Sequence, residues 1–361
     1  MRNNAQFKTH IKQLFLAKSL GEKFSLRLEL ELTNDCRNNC SYCGVHHRTG
    51  ISEIDFNDLT AFLRKMQAVA WEKRQQFLVT LCGGDPLLYT RFESLVSWLK
   101  DANIPFTIKA NTATMSGRAI ALLKETGCKG VRFTLFGDPS THDANRGLDT
   151  HGLLTEKTRQ VKVSGIPVMW NLTVGKNNLD QTLSSLPLVK AAGLDGVTIG
   201  RLARLGVLEN KDNFEDMAPD HFRKFLVQVL EFYYAHYQDG FSLLFKEKLW
   251  LPLLIEEGLL EFSPGNLKKM ALGCEACGKH LTVNQKGRIL SCGLLPLLEL
   301  GSITTDPEGI PDLLTHRPLT SETQTGCSPC AYHAACKGCR AIALANAGDL
   351  YAKDPQCWIR F

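Results

Sequence analysis

Eleven of the thirteen cysteines fall in two groups, three within 36–43 and eight within 274–357. The first group reads LELTNDCRNNCSYCGVHH, with Cys36-x3-Cys40-x2-Cys43. Three thiolates on one short loop can cap three irons of a cubane cluster and leave the fourth iron open to another ligand. A structural zinc site closes with four ligands, and His46 or His47 stands near enough in sequence to be the fourth. The position favours the cluster: the loop follows the first predicted strand, at the rim where β/α barrels place chemistry.

The second group runs Cys274-x2-Cys277, Cys292, Cys327-x2-Cys330-x5-Cys336-x2-Cys339 and Cys357. Eight thiolates suffice for two four-ligand iron–sulfur clusters or for two zinc sites, and composition does not separate these. A disulfide framework would spread its cysteines more evenly along the chain. Cys82 and Cys128 stand outside both groups, and an isolated Cys is usually a small buried hydrophobe. Cys82 directly precedes Gly83 and is a weak candidate for a hydrogen-atom donor facing a cavity.

The elements that must hold these groups follow from periodicity. Strands are predicted over 25–33, 77–82, 105–110, 130–136, 167–174 and 196–200, with helices over 56–72, 90–102, 116–126, 152–164 and 179–192. Glycines at the ends of helical runs, such as Gly127, Gly165 and Gly193, mark the stops. Repeated β/α units imply an α/β fold with a parallel sheet and outer helices. Six units fall short of a closed barrel, so a partial (β/α)6 TIM-like barrel is expected, followed by a small Cys-rich C-terminal domain, iron–sulfur or zinc. The expected divisions are an N-terminal helical extension over 1–24, the barrel over 25–215, a helical connector over 216–270 and the Cys-rich domain over 271–361. In the first strand Arg27, Glu29 and Glu31 alternate with leucines. That pattern fits either a polar lumen that holds a ligand or an edge strand with one wet face.

Composition excludes several classes. Of 361 residues 44% are apolar and 22% charged, and the net charge of +5 is too mild to argue for nucleic acid. No apolar run reaches membrane length; residues 249–260 are broken by Pro252, Glu256 and Glu257. The N-terminus lacks the features of a secretory signal, so a cytoplasmic protein is expected.

The C-x3-C-x2-C loop after a first strand, with Tyr42 before the last Cys, resembles the radical S-adenosylmethionine (SAM) superfamily. The resemblance implies that Cys36, Cys40 and Cys43 hold a [4Fe–4S] cluster whose open iron chelates SAM. One electron then breaks the sulfonium, and a 5′-deoxyadenosyl radical takes a hydrogen atom from the substrate. The second strand ends in LCGGDPLLY, and two glycines there permit close backbone approach. This stretch is similar to the superfamily's GGE motif, which implies that Gly83, Gly84, Asp85 and Pro86 meet the amino group of SAM. Asp85 is one methylene shorter than the usual Glu. By the same resemblance Asn111 ends the third strand at the site, and LFGDPSTHDANRG brings His142, Asp143 and Arg146 to line it, Asp143 being a weak catalytic candidate. Asn171 is placed at the ribose, and Arg201 and Arg204 at the SAM carboxylate.

The second cysteine group resembles the SPASM domain, which carries two auxiliary [4Fe–4S] clusters. That implies Cys274, Cys277, Cys292 and Cys339 for the nearer cluster and Cys327, Cys330, Cys336 and Cys357 for the outer one. The x2 spacing of Cys336 and Cys339 departs from the frequent x3. Such enzymes mostly modify ribosomally made peptides, so a precursor peptide that is cross-linked, cyclised or epimerised is the expected substrate. Only about 25 residues precede the first strand, so a leader would be read by the barrel, the connector or another protein. Gly293 and Leu294 follow Cys292 where sulfatase-maturing relatives have Asp, which disfavours that activity. The tail GCRAIALANAGDLYAKDPQC also resembles haem-biosynthesis members, so a tetrapyrrole or other small molecule is the alternative. A flavodoxin- or ferredoxin-type electron donor is implied. The alternative of another class is a non-catalytic iron–sulfur electron carrier.

Overall fold

Strand β1 (Ser25–Glu31) lies in the middle of the sheet rather than at its edge. The computed structural model describes residues 1–23, 25–43, 50–205, 217–261, 273–274, 276, 280–295, 298–304 and 326–360. The other strands are β2 (Gln76–Cys82), β3 (Phe106–Lys109), β4 (Val131–Leu135), β5 (Val168–Val174), β6 (Gly196–Arg201), β7 (Leu243–Leu244), β8 (His280–Val283), β9 (Arg288–Leu290) and β10 (Glu299–Ser302). Their order is β10-β9-β8-β1-β2-β3-β4-β5-β6-β7. From β8 to β7 every pairing is parallel, and β9 and β10 extend the edge antiparallel.

The six predicted β/α strands therefore form the centre of a larger curved sheet. β7 comes from the segment expected as connector, and β8 from the segment expected as the Cys-rich domain. The sheet runs through both expected boundaries. Its fold class is the expected one, α/β with a parallel TIM-like partial barrel.

The place of β1 decides its alternation. Leu26, Leu28, Leu30 and Leu32 are all buried in the core that also contains Leu59, Phe62 and Met66 of the helix Phe56–Glu72. The opposite face of β1 carries Arg27, Glu29 and Glu31 into the barrel's interior. Glu29 is level with Thr80 of β2 and with Thr282 of β8, so polar side chains meet across strands on that face. Lys109 pairs with Glu29, yet the two keep 34% and 25% of their side chains accessible. The interior is a polar lumen that water enters, and the edge-strand reading fails.

The helix expected over 179–192 is two helices, Leu179–Ser184 and Leu186–Ala191. Pro187 sits in the first turn of the second, where a missing N–H costs least. The N-terminal helix Ala5–Lys23 packs on the connector helix Pro219–His236. Phe7 meets Tyr234 edge-on at 4.9 Å, and His10 Nε2 lies 2.6 Å from the Tyr233 hydroxyl. Phe15 packs on Phe245 just after β7, 5.3 Å between ring centres.

One buried ion pair ties the tail to the barrel. Arg201, at the end of β6, grips Asp354 with both terminal nitrogens, at 2.7 and 2.8 Å. The same guanidinium reaches Gln356 at 2.7 Å and Glu247 at 2.8 Å. Burial alone would raise the Asp354 carboxyl, but the charge and hydrogen bonds of Arg201 hold it below its ordinary value. Replacing Arg201 by Met leaves two buried carboxylates without their cation, a change that costs about 3–5 kcal/mol. Chemical unfolding of the anaerobic protein near neutral pH should show this loss. Because the Asp354 pKa is depressed, the pair's contribution is full above the ordinary carboxylate pKa and fades as pH falls through the folded value. A loss that is the same at all pH values would contradict the pairing.

Candidate active site

The cysteine loop is held first by backbone. Beyond β1, Leu32 N donates to Cys82 O at 3.0 Å, Gly84 N to Thr33 O at 2.8 Å, and Asp85 N to Asp35 O at 2.7 Å. The exits of β1 and β2 thus run against one another. A Cβ at Gly84 would lie 2.2 Å from the Asp35 carbonyl oxygen, and one at Gly83 2.6 Å from that of Thr33. Gly83 also has φ of +121°, a region that favours glycine. The expectation was that these glycines admit a ligand. Their first task is to admit the chain that leads into Cys36.

The loop is then clamped by side chains. Tyr42 stacks on Phe136 at 4.1 Å with an interplanar angle of 8°. Its hydroxyl accepts from Arg146 Nη1 at 2.5 Å, Arg146 Nη2 donates to Asn111 Oδ1 at 3.2 Å, and Asn111 Nδ2 donates to Cys36 Sγ at 3.1 Å. Ser41 N donates to the Asn145 carbonyl at 2.9 Å. The helix Pro139–Arg146, capped by Asp138 on Thr141 N at 2.8 Å, carries both Asn145 and Arg146 to the loop. Burial disfavours the Arg146 charge, but Tyr42, Cys40 and Cys36 raise its pKa overall. Burial pushes the Tyr42 phenol up to about 12, so it stays protonated.

Cys36, Cys40 and Cys43 face one cavity of about 400 Å³ at the rim, with Gly83, Gly84 and Asn111 on its wall. Among the described residues no three His, Cys, Asp or Glu side chains converge on a single-ion site. A cubane asks for a different arrangement, one thiolate to each iron. Burial raises the Cys36 thiol, which the backbone of Asn38 and, less, the amide of Asn111 partly offset, so its thiolate calls for a bound cation. Three sulfurs round one hollow, with an amide and a guanidinium beside them, suit a thiolate-held cluster.

The tail sorts its cysteines into two sets. Cys292 stands close enough to Cys274 and Cys339 for their charges to act on it, and burial pushes its thiol up to about 12. Cys339 is likewise pushed up to about 12 by burial, and Cys274 adds to the shift. Separately, Cys330 is affected by Cys327, and Cys336 by Cys357 and Cys330. Cys336 and Cys339 thus fall in different sets although two residues separate them. Lys337 and Gly338, both left-handed at φ 59° and 60°, turn the chain between them. Asp354 Oδ2 accepts from Cys339 N at 2.8 Å, so the Arg201 pair also fixes this backbone. Cys277, His46 and His47 lie outside the described residues.

A sequence description of the Radical SAM superfamily matches residues 30–217. The chain belongs to the radical SAM superfamily. It is 23% identical over 347 residues to an AdoMet-dependent heme synthase of Methanosarcina barkeri, covering 91% of this chain and 95% of that one. It is 24% identical over 197 residues to the sporulation killing factor maturation protein SkfB of Bacillus subtilis, covering 54% and 46%. Of solved structures, Streptococcus suis SuiB bound to S-adenosylmethionine superposes with TM-score 0.70 at 16% identity, covering 96% and 81%. Native anSMEcpe with bound AdoMet superposes with TM-score 0.71 at 18% identity, covering 92% and 94%. These structural likenesses show the fold. The radical SAM family is one of enzymes that use a [4Fe–4S] cluster and SAM, so the non-catalytic carrier reading is set aside.

Within this radical SAM fold the other expected site residues divide. Asn111 and Asn171 line the cavity. Asn171 Oδ1 accepts from Thr198 at 2.8 Å and its Nδ2 donates to Thr173 at 2.9 Å, which fixes the amide's orientation. Asp85, expected at the SAM amino group, is fully buried. Its carboxylate takes the Thr114 hydroxyl at 2.5 Å and caps the turn Pro86–Leu88 through Leu87 N at 3.3 Å. Asp143 accepts from His151 N at 2.7 Å and Thr150 Oγ1 at 3.1 Å, which starts the helix Thr150–Val163. Burial and Arg146 lower the His142 pKa to about 3, and the neutral ring accepts from Phe136 N at 3.2 Å. These three position the rim. Arg201 touches the cavity, but its terminal nitrogens hold Asp354, Gln356 and Glu247. Arg204 stands one position past the last lining residue of its segment, Ala203.

Cys82 lines the cavity, where burial raises its thiol well above the ordinary value. Cys128 is core, its sulfur 3.5 Å from the Gly130 carbonyl. The cavity also holds Lys109, Arg132, Thr134 and Thr173, which sequence reasoning passed over. Their signal was alternation: polar residues at every second position of strands read as buried. Gly84→Ala should drive the Asp35 carbonyl away and misplace Cys36. Reconstituted protein should then retain less iron and bind SAM at least about 10-fold more weakly by equilibrium dialysis, the loss that about 1.4 kcal/mol of misplacement gives. Unchanged SAM affinity would contradict the close approach.

Proposed function

We propose that this enzyme reductively cleaves SAM at a cluster held by Cys36, Cys40 and Cys43 and abstracts a hydrogen atom from a substrate bound in the adjoining cavity. One observation carries the reading: three clamped cysteine sulfurs face the same hollow as the Gly83–Gly84 turn and the Asn111 and Asn171 amides. When bound, the cluster and SAM supply the single-electron cleavage and the 5′-deoxyadenosyl radical. The protein's residues orient and enclose. Asn111 and Arg146 hold Cys36 and the loop, the glycine turn offers backbone at short range, and Asn171 presents a fixed amide.

The two sets in the tail are read as auxiliary [4Fe–4S] ligands: Cys274, Cys292 and Cys339, with Cys277 by the same pattern, and Cys327, Cys330, Cys336 and Cys357. Clusters there would take the electron left on the substrate and make the overall reaction an oxidation. A ribosomally made peptide, oxidatively cross-linked, cyclised or epimerised, is the substrate reading. Support comes from the relatives named for peptide maturation and cyclisation and from the SuiB fold, solved with its precursor peptide SuiA. A second reading, a tetrapyrrole side chain, is favoured by coverage: the alignment takes in 95% of the heme synthase but 46% of SkfB. A flavodoxin- or ferredoxin-type donor in the reducing cytoplasm would supply the electron.

Anaerobic reconstitution followed by dithionite and SAM tests the reaction. Wild-type protein should form 5′-deoxyadenosine, and Cys43→Ala should lower its rate at least about 1000-fold, since three thiolates are the minimum for the site. Loss of Cys330 should cut substrate turnover and leave uncoupled SAM cleavage. Normal cleavage in the Cys43 variant would overturn the ligand assignment.

A further inference from the structure

The lumen holds more positive charge than its carboxylates balance. Arg27, Lys109, Arg132 and Lys246 act on one another there, and the facing acids are Glu29 and Glu31. Lys109 is committed to Glu29. Burial and the neighbouring Glu29 raise the Glu31 carboxyl to about 7, so near neutral pH it carries only part of its charge. Arg132 is the residue left over. Its Nε is sealed from solvent and has no hydrogen-bond partner, while its side chain lines the same cavity as the cysteine loop. Burial lowers its pKa even with Glu29 close by. Lys246, which water reaches, is lowered to about 7 by the surrounding protein and by Arg132, Lys109 and Arg27. Cations crowded in this way, one with an unmet donor, lower their energy when an anion enters.

The level of Arg132 indicates whose anion it is. Arg132 is the second residue of β4, level with Lys109 of β3, and Leu135 ends the strand. Lys109 is two residues before Asn111, whose amide touches Cys36, so at about 3.3 Å per residue the Arg132 backbone lies about 7 Å below that contact. The carboxylate of SAM has to reach an iron beside Cys36, so a carboxylate held at Arg132 belongs to a second molecule lying deeper in the same cavity.

We propose that the inner wall of the cavity, at Arg132 with Lys109 beside it, is a subsite for a carboxylate of the substrate. This rests on the reading of the cavity as the radical SAM active site, and it narrows the substrate to a carboxylic acid. The acid is either a side chain of a peptide or a substituent of a small molecule.

Radiolabelled acetate, with acetamide as the neutral control of the same shape, probes the subsite by equilibrium dialysis of reconstituted protein with SAM present. Acetate should bind the wild type at least about 10-fold more tightly than acetamide, and Arg132→Gln should erase the difference. Arg132→Lys should restore part of it. Iron content and circular dichroism report whether each variant is folded. Acetate and acetamide bound alike by wild type would overturn the proposal. So would an Arg132→Gln variant that binds acetate normally but SAM at least about 10-fold more weakly, because the charge would then serve SAM. The source is settled by paired compounds: a Glu-containing peptide against its Gln counterpart, and a porphyrin diacid against its dimethyl ester. An acid preference that Arg132→Gln removes identifies the source, and no preference in either pair overturns the subsite. Dialysis needs no SAM cleavage, so a protein that binds acetate but forms no 5′-deoxyadenosine would sink the radical reading alone.

Discussion

Two strand exits share a space too narrow for a side chain. The Asp35 carbonyl, one residue before Cys36, stands where a Cβ on Gly84 would be, at 2.2 Å. Hydrogen bonds from Gly84 N and Asp85 N to the exit of β1 then lock the two backbones together. The start of the cysteine loop is fixed by this contact. The Tyr42–Arg146–Asn111–Cys36 chain can orient sulfur only because the loop already begins in the right place. Asp85 serves the same end: its carboxylate holds Thr114 and the following turn, so the glycine pair cannot drift.

The polar lumen is the second consequence of how the sheet is assembled. β1 is flanked on both sides and its leucine face is buried in the core, so the charged half of its alternation faces the lumen, which water enters. Inward charges need partners, and β3, β4 and the segment after β7 supply them with cations in excess. An apolar lumen would be more stable and would bind no polar substrate. The tail is part of the same construction. β8 joins β1 in parallel, and Arg201 holds Asp354, which in turn holds the backbone of Cys339. A cysteine of the tail is thereby fixed relative to a strand that lines the cavity.

Features set within one segment were legible in the sequence. The six central strands, their helices and the spacing of the cysteines depend on local period and local chemistry. Features set by distant partners were not. β7 is two residues, Leu243–Leu244, too short to show alternation, and β8 pairs with a strand more than 240 residues earlier (His280 against Arg27). Asp85 looked like a ligand group until Thr114 was seen on it, and Arg201 until Asp354 was. Arg132 and Lys109 were passed over because strands in a β/α barrel are read as apolar, although VRFTL already alternates. The resemblance already assigned Cys336 and Cys339 to different clusters, but spacing does not reveal the two left-handed residues, Lys337 and Gly338, that turn the chain between them.

The central claim is that the loop of Cys36, Cys40 and Cys43 leaves one iron open to SAM. Electron–nuclear double resonance on the reduced protein with SAM carrying 15N in its methionine amino group tests it directly. A 15N hyperfine coupling of an iron-bound amine, absent from unlabelled SAM and lost in the Cys43→Ala protein, is the predicted result. A reduced cluster whose spectrum is unchanged by SAM and shows no such coupling would contradict the account.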